Sequence, residues 1–212
     1  MYHFDQVPFA CGSCGTKGSL DVYDIISADE QPEIRDKVLD GSLFEYVCPH
    51  CGAVTPVMYP LLYTDRPGKY MISLREEGKE NFSQEIMDAM TCRCVYDPSV
   101  LKEKILLFDH GMDDRVLEIL KILRSQQIHE RNPEMEVEAL FYYPVEGEDR
   151  LEVFSKGISQ GTVRMDNELY EGIKDVILPA LDETLLRETV IDSTWAHSAV
   201  LSAGGGDGAL LL

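Results

Sequence analysis

The chain has 212 residues, of which 44% are hydrophobic and 27% charged, so it is long enough to bury a core. Asp and Glu total 38 against 19 Lys and Arg, which gives a formal net charge of -19. The sequence lacks the clustered cations that displace counterions from a phosphate backbone, so no nucleic-acid partner is predicted. An acidic surface instead favours a protein partner, and a basic partner protein would complement the negative net charge.

The location of the protein is predicted from two further features. The first residues, Met1 to Gln6, lack the basic start and apolar run of a secretory signal. No stretch reaches the roughly 18 uninterrupted apolar residues that a membrane span needs. We therefore expect a cytoplasmic protein with no membrane partner, whose cysteines are reduced or metal-bound.

Residues 1–75 are predicted to form a first domain that mixes strands with one short helix. Pro32 favours a helix start and Gly41 a helix stop, which bounds the helix. Asp65 to Gly68 has the composition of a hairpin turn. The predicted elements are a strand at 19–26, a helix at 32–40, a strand at 43–47, and a hairpin of 54–63 with 69–74.

This first domain contains two CxxCG motifs, with Cys11 and Cys14 in one and Cys48 and Cys51 in the other. Two intervening residues let both sulfurs of a pair reach one ion, and the following glycine lets the turn tighten. Together the pairs predict one four-cysteine metal site, with one Zn²⁺ per chain. The long spacer holds a strand and a helix, which indicates a zinc ribbon with a helix-containing insertion.

Other interpretations of these cysteines stay open at this point. The same four ligands suit a mononuclear iron site. The cysteines could also be buried thiols or two independent redox pairs. His50 lies inside the second motif and could replace a cysteine as ligand, although four thiolates are already present.

The N-terminal part resembles the CpXC family of bacterial and archaeal proteins, which is named for paired Cys-Pro-x-Cys motifs. The resemblance rests on CGSCG, on KVLDGSLFEYVCPHC and on the following GAVTPVMYPLLYTD, and it extends more weakly through LKEKILLFDHGMDDRVLEILKIL. Gly12 stands where the family name requires proline. The resemblance implies metal ligands and no particular activity.

Residues 76–129 are predicted to form a helical connecting region. Helices are expected at 82–90, from Asp97-Pro98 to Phe108, and at 113–123. Cys92 and Cys94 suit buried free cysteines, with a redox pair or a second metal half-site as alternatives. Asp113, Asp114 and Glu118 are interpreted as a solvated helix face and not as a catalytic group.

Residues 130–192 are predicted to form an α+β domain, and residues 193–212 a tail. Alternating apolar residues indicate a small antiparallel sheet with strands at 137–143, 151–154 and 162–165. A long amphipathic helix from Asp166-Asn167, broken or bent at Pro179, is expected to cover it. The fold class is therefore α+β: an inserted zinc ribbon, a helical middle, and a C-terminal sheet with a long helix.

The predicted function is a metal-stabilised protein-interaction or regulatory module. A closed four-sulfur shell disfavours catalysis at the metal, and no nucleotide-binding or nucleophile motif occurs, so no catalytic or cofactor-binding residue is assigned. The alternatives are an enzyme with a site in the C-terminal region and a thiol redox switch.

Overall fold

The computed structural model describes residues 4–76 and 82–204 and has an α+β fold with several small sheets. Two compact units are present, the first ending at Lys102 and the second beginning at Glu103. No helix in the described ranges has both the length and the apolar character that crossing a bilayer requires.

The first unit consists mainly of short strands. In chain order its elements are β1 (Phe4–Ala10), β2 (Lys17–Tyr23), β3 (Ile25–Ser27), α1 (Pro32–Asp40), a 3-10 turn (Ser42–Phe44), β4 (Glu45–Val47), β5 (Val54–Pro56), β6 (Leu61–Asp65), β7 (Tyr70–Leu74), α2 (Gln84–Ala89), β8 (Thr91–Val95) and the first part of α3 (Pro98–Asp109).

These strands form two hairpins and one larger sheet. The antiparallel hairpins are β1–β2 and β4–β5. The four-stranded sheet has the order β3-β6-β7-β8, with β6–β7 antiparallel and the outer pairs parallel. Its core includes Ile26, Tyr63, Ile72 and Leu74, which are all fully buried. The insertion between the cysteine motifs therefore contributes β3 to a sheet built mostly from later sequence.

Local sequence signals predicted several of these elements correctly. Helix α1 spans Pro32–Asp40, and Gly41 ends it with φ of 86°, a left-handed conformation that glycine adopts without strain. The predicted hairpin turn is present, where the amide of Gly68 donates to Asp65 Oδ1 at 2.8 Å. Val54–Pro56, by contrast, is a separate strand that pairs with β4.

The middle of the chain, which was predicted to be a helical connecting region, also contains a strand. Thr91–Val95 forms strand β8, which pairs in parallel with β7 from Tyr70↔Thr91 to Leu74↔Val95. Parallel pairing needs a partner distant along the chain, so the local pattern around Cys92 did not reveal it. Helix α2, at Gln84–Ala89, is shorter than the predicted helix at 82–90.

The second unit packs helices against a three-stranded sheet. Its elements after α3 are α4 (Asp114–Arg131), β9 (Ala139–Tyr142), β10 (Arg150–Ser155), β11 (Ile158–Arg164), α5 (Asn167–Val176), a 3-10 turn (Leu178–Ala180), α6 (Glu183–Leu186) and α7 (Ser193–Ala203). The sheet is antiparallel with the order β11-β10-β9, as predicted for this region. The predicted long helix is divided at Leu178–Ala180, where Pro179 interrupts it.

The apolar core of this unit is formed by the sheet and the helices that pack on it. Leu140, Leu151, Val153 and Ile173 are buried, whereas Val176 is 56% exposed. Residues 193–212 were predicted to form a tail, and this prediction is wrong over Ser193–Ala203. That segment forms α7 and buries Trp195, Ala196 and Ala199. Asp192 caps this helix by accepting from the Trp195 amide at 2.8 Å. Residues 205–212 lie outside the described residues.

A buried ion network joins α3 to α4 within the second unit. Lys104 Nζ lies 2.8 Å from Asp114 Oδ2 and 3.6 Å from Glu118 Oε1, and it donates to the Ile191 carbonyl at 2.9 Å. The interpretation of Asp114 and Glu118 as a solvated face is therefore wrong. Asp114 is completely buried, because a lysine from the neighbouring helix compensates its charge.

The same network includes a second lysine and a third carboxylate. Lys121 Nζ lies 2.7 Å from Glu103 Oε2 and 2.9 Å from Glu118 Oε1. Three carboxylates thus face two ammonium groups, which leaves one negative charge in excess. Burial, together with the nearby Glu118, raises the pKa of Glu103 despite the two lysines.

The chain was predicted to consist of separate domains, with the ranges 1–75, 76–129 and 130–192. Whether the N-terminal and C-terminal parts fold independently of each other can be tested. If the four predicted ligands hold a metal, we expect that removing it with a chelator abolishes amide protection around Cys11 and Cys48. Protection should persist across Leu140 and Ile173, because the second unit is stabilised by its own apolar core and not by the cysteine cluster. Hydrogen exchange followed by mass spectrometry measures both regions in one sample, and simultaneous loss of protection everywhere would show a single cooperative core.

Candidate metal centre

The first cysteine knuckle lies in the turn between β1 and β2. The amide of Gly15 donates to the Cys11 carbonyl at 2.9 Å, and the amide of Cys11 donates to the Thr16 carbonyl at 3.0 Å. Gly15 has φ of 71°, which a residue with a side chain rarely adopts. The turn therefore brings Cys11 and Cys14 to the same end of the hairpin.

The second knuckle repeats this arrangement between β4 and β5. The amide of Gly52 donates to the Cys48 carbonyl at 2.9 Å, the amide of Cys48 donates to the Ala53 carbonyl at 2.9 Å, and Gly52 has φ of 70°. Pro49 occupies the position that Gly12 fills in the first knuckle. Because the two turns have matching hydrogen bonds, glycine at this position does not prevent the knuckle from forming.

The four sulfur atoms converge across the two hairpins. All of them lie within 4.8 Å of one another, and the contacts Cys11 Sγ to Cys51 Sγ and Cys14 Sγ to Cys48 Sγ are both 3.7 Å. A disulfide needs sulfurs about 2.05 Å apart, so neither contact is one. A tetrahedral ion with metal–sulfur bonds of about 2.3 Å would separate its sulfurs by about 3.8 Å. The donor set and its spacing therefore fit a single metal ion.

The site has a buried side and an exposed side. The first cysteine of each knuckle is buried and the second is exposed. Tyr46 packs on the buried side with Cys11 and Cys48, and its ring centroid lies 4.4 Å from that of Phe9. A side chain at position 18 would overlap the Tyr46 hydroxyl, which explains the glycine there.

Thiol acidity in this cluster is uneven. The hydroxyl and amide of Thr16 lower the pKa of Cys14 to about 6. At Cys51 the Ala53 amide acts in the same direction, but the neighbouring Cys14 thiol and burial outweigh it and raise the pKa of Cys51 to about 12. Four thiolates this close repel one another, so all four ionise together only when a cation compensates their charge.

The structure brings together the four predicted ligands and none of the other predicted candidates. Among the described residues, the cluster of possible metal ligands consists of these four cysteines and does not include His50. Cys92 and Cys94 are buried and lie outside the four-cysteine cluster, as the interpretation as buried cysteines expects. Burial also raises the pKa of the Cys92 thiol, which lowers its reactivity. Asp113 is the N-cap of α4, where it accepts from the Arg115 amide.

Sequence reasoning missed one residue of the site. Thr16 follows the first CxxCG motif directly, and its hydroxyl oxygen lies 3.2 Å from Cys14 Sγ. Hydrogen bonds to ligand sulfurs tune metal sites from outside the ligand set. The available signal was the position of Thr16 directly after the glycine of the first motif. The second knuckle has Ala53 at this position, which has no hydroxyl and cannot make this contact.

Comparison with known proteins agrees with the cysteine pattern. No match to the chain was found among curated proteins or among solved structures. The model of one protein family, described as CpXC protein, matches residues 9–121. This range contains both knuckles, the four-stranded sheet, α3 and the first part of α4, and it confirms the resemblance over the stretch predicted from the motifs. The chain is therefore a member of the CpXC family.

Proposed function

We propose that this protein binds one structural Zn²⁺ through Cys11, Cys14, Cys48 and Cys51, and that the zinc-organised hairpins bind a partner protein. The convergence of four thiols within 4.8 Å carries the first part of the proposal. Structural zinc sites are typically closed shells of four protein ligands, whereas catalytic zinc keeps a position for water.

The metal assignment is tested by elemental analysis of protein purified without chelator. We expect about one zinc per chain. Iron in the same amount would preserve the site and overturn the zinc assignment. Folded protein that contains no metal would overturn both the zinc assignment and the four-cysteine metal site.

The binding of a partner protein is supported by an exposed apolar pair beside the second knuckle. Val47 and Val54 face each other across the β4–β5 hairpin and are 57% and 55% exposed. Val47 is the residue directly before the ligand Cys48. Adjacent exposed valines on this hairpin suit a contact that buries them, since exposed apolar clusters commonly mark interaction sites.

This interaction surface is tested by changing both valines to lysine. A partner is first identified by crosslinking and mass spectrometry with the unchanged protein. The double variant Val47→Lys/Val54→Lys is then expected to abolish co-purification of this partner, because two charges would replace the apolar contact. Val176→Lys is the matched control, since Val176 is 56% exposed on α5 in the other unit. Equal partner recovery from all three proteins would overturn the valine pair as the contact.

A further inference from the structure

The second unit contains a cavity that the metal centre does not explain. It has a volume of about 200 Å³ and lies between the last turns of α4, Met135 and the strands β10 and β11. This volume is below the roughly 300–1,000 Å³ of sites for drug-sized ligands, so it suits a small molecule. From the structure we infer that this cavity binds a small carboxylate with a short aliphatic chain.

The charge of the cavity carries the first step of this inference. Arg124 and Arg131 line it, and none of the lining residues is acidic. The chain as a whole has twice as many acidic as basic residues. A cavity with two guanidinium groups and no carboxylate therefore stands out from the rest of the molecule. Arginine binds carboxylates with paired, directional hydrogen bonds.

The position of these arginines also has an ordinary explanation, which accounts for only part of their charge. Arg131 lies in the last turn of α4, where cations interact favourably with the helix dipole, whereas Arg124 lies about two turns earlier. The dipole places about half a negative charge at that end. The Asn132 amide already donates to the Ile128 carbonyl there. The helix dipole therefore accounts for Arg131 at most and not for Arg124, so the cavity keeps a positive balance.

Arg124 is held in place but not fully satisfied. One terminal nitrogen donates to Gln127 Oε1 at 2.8 Å, and the other donates to the Arg164 carbonyl at 3.2 Å. Its Nε is buried and has no hydrogen-bond partner within the described part of the chain. Buried donors without a partner are rare, and a missing group is one recognised reason for them. A carboxylate in the cavity would accept from the second N–H of a terminal nitrogen of Arg124, since the Nε itself exposes less than 1 Å² of surface.

The remaining lining residues indicate what the carboxylate is attached to. Val153, Val163, Ile128 and Met135 supply apolar surface, while Thr162 and Gln160 supply polar groups on the β11 side. Gly161, on the edge strand β11, has φ of 97° and no side chain to fill the space. A short aliphatic chain would cover the apolar side and leave the carboxylate at the arginines.

Nuclear magnetic resonance titration with butyrate tests this inference on the metal-loaded full chain. We expect saturable shifts of the Gly161 and Thr162 amides with millimolar affinity, and no saturable shift with the uncharged analogue butyramide. Arg131→Gln should weaken butyrate binding about tenfold or more, because it removes a charged hydrogen-bond donor. Lys174→Gln makes the same charge change on the exposed face of α5 and should leave the affinity unchanged.

Several results would overturn the inference. These are the absence of saturable shifts with butyrate, equal binding of butyramide, or equal weakening by Lys174→Gln. Tighter binding of inorganic phosphate than of butyrate would exclude the aliphatic part of the ligand. Arg131 is exposed, so Arg131→Gln is expected to fold and the comparison does not depend on changing the partly buried Arg124.

Discussion

Cys48→Ser is expected to release the metal ion and to unfold the hairpins of the first unit. Cys48 is a buried member of the four-cysteine cluster that packs with Cys11 and Tyr46, so in the proposed zinc site its loss removes a metal–sulfur bond and part of the small core behind it. Structural zinc contributes on the order of 10 kcal/mol to the folding of small domains. That is comparable to the whole stability of a typical domain, about 5–15 kcal/mol. Elemental analysis measures the lost metal, and amide spectra measure the loss of structure.

Cys94→Ala provides the control for this experiment. Cys94 is equally buried but lies on β8, outside the four-cysteine cluster. This variant should keep one metal ion per chain and lose stability only through a small cavity. Metal retained by Cys48→Ser would show that Cys48 is not a metal ligand. Metal lost from both variants would show that the loss does not depend on the four-cysteine cluster.

Lys104→Met is expected to destabilise the second unit by about 3–5 kcal/mol, the usual cost of removing one partner from a buried ion pair. The change leaves the buried carboxylate of Asp114 without its lysine and removes the hydrogen bond to the Ile191 carbonyl. Trp195 is the single tryptophan of the chain and is buried in this unit, so its fluorescence in a urea titration reports the loss.

Two further variants identify the cause of this loss. Lys174→Met removes a lysine from an exposed ion pair with Glu171 and should change stability by less than about 1 kcal/mol. Combining Lys104→Met with Asp114→Asn removes the uncompensated charge and should recover much of the stability. A loss below about 1 kcal/mol for Lys104→Met alone would show that water reaches the network and that it is not truly buried.

The clustering of the four cysteines was predictable because its signal is local. Two CxxCG motifs specify two turns, and each turn fixes its own pair of sulfurs through hydrogen bonds that do not depend on the rest of the fold. The bounds of α1 were predictable for the same reason, since Pro32 and Gly41 act on the backbone at their own positions.

The buried ion network and strand β8 were not predictable in this way. Asp114 and Glu118 have the pattern of an exposed helix face, and only packing against α3 places Lys104 beside them. Strand β8 depends on pairing with β7, and no residue within its own sequence specifies that partner. Helix α7 had a usable signal in the capping residue Asp192, but the glycine-rich sequence that follows it favoured a tail.

The β3 strand within the insertion has a consequence for the order of folding. Its parallel pairing with β6 joins Ile25 to Leu62, a distant contact whose closure has a large entropic cost. Both knuckles are complete by Gly52, before β6 begins at Leu61, so an emerging chain contains all four ligands before this strand pair can form. Metal binding at that stage would fix both ends of the insertion and shorten the remaining loop. The ion would then speed formation of a sheet that contains none of its ligands.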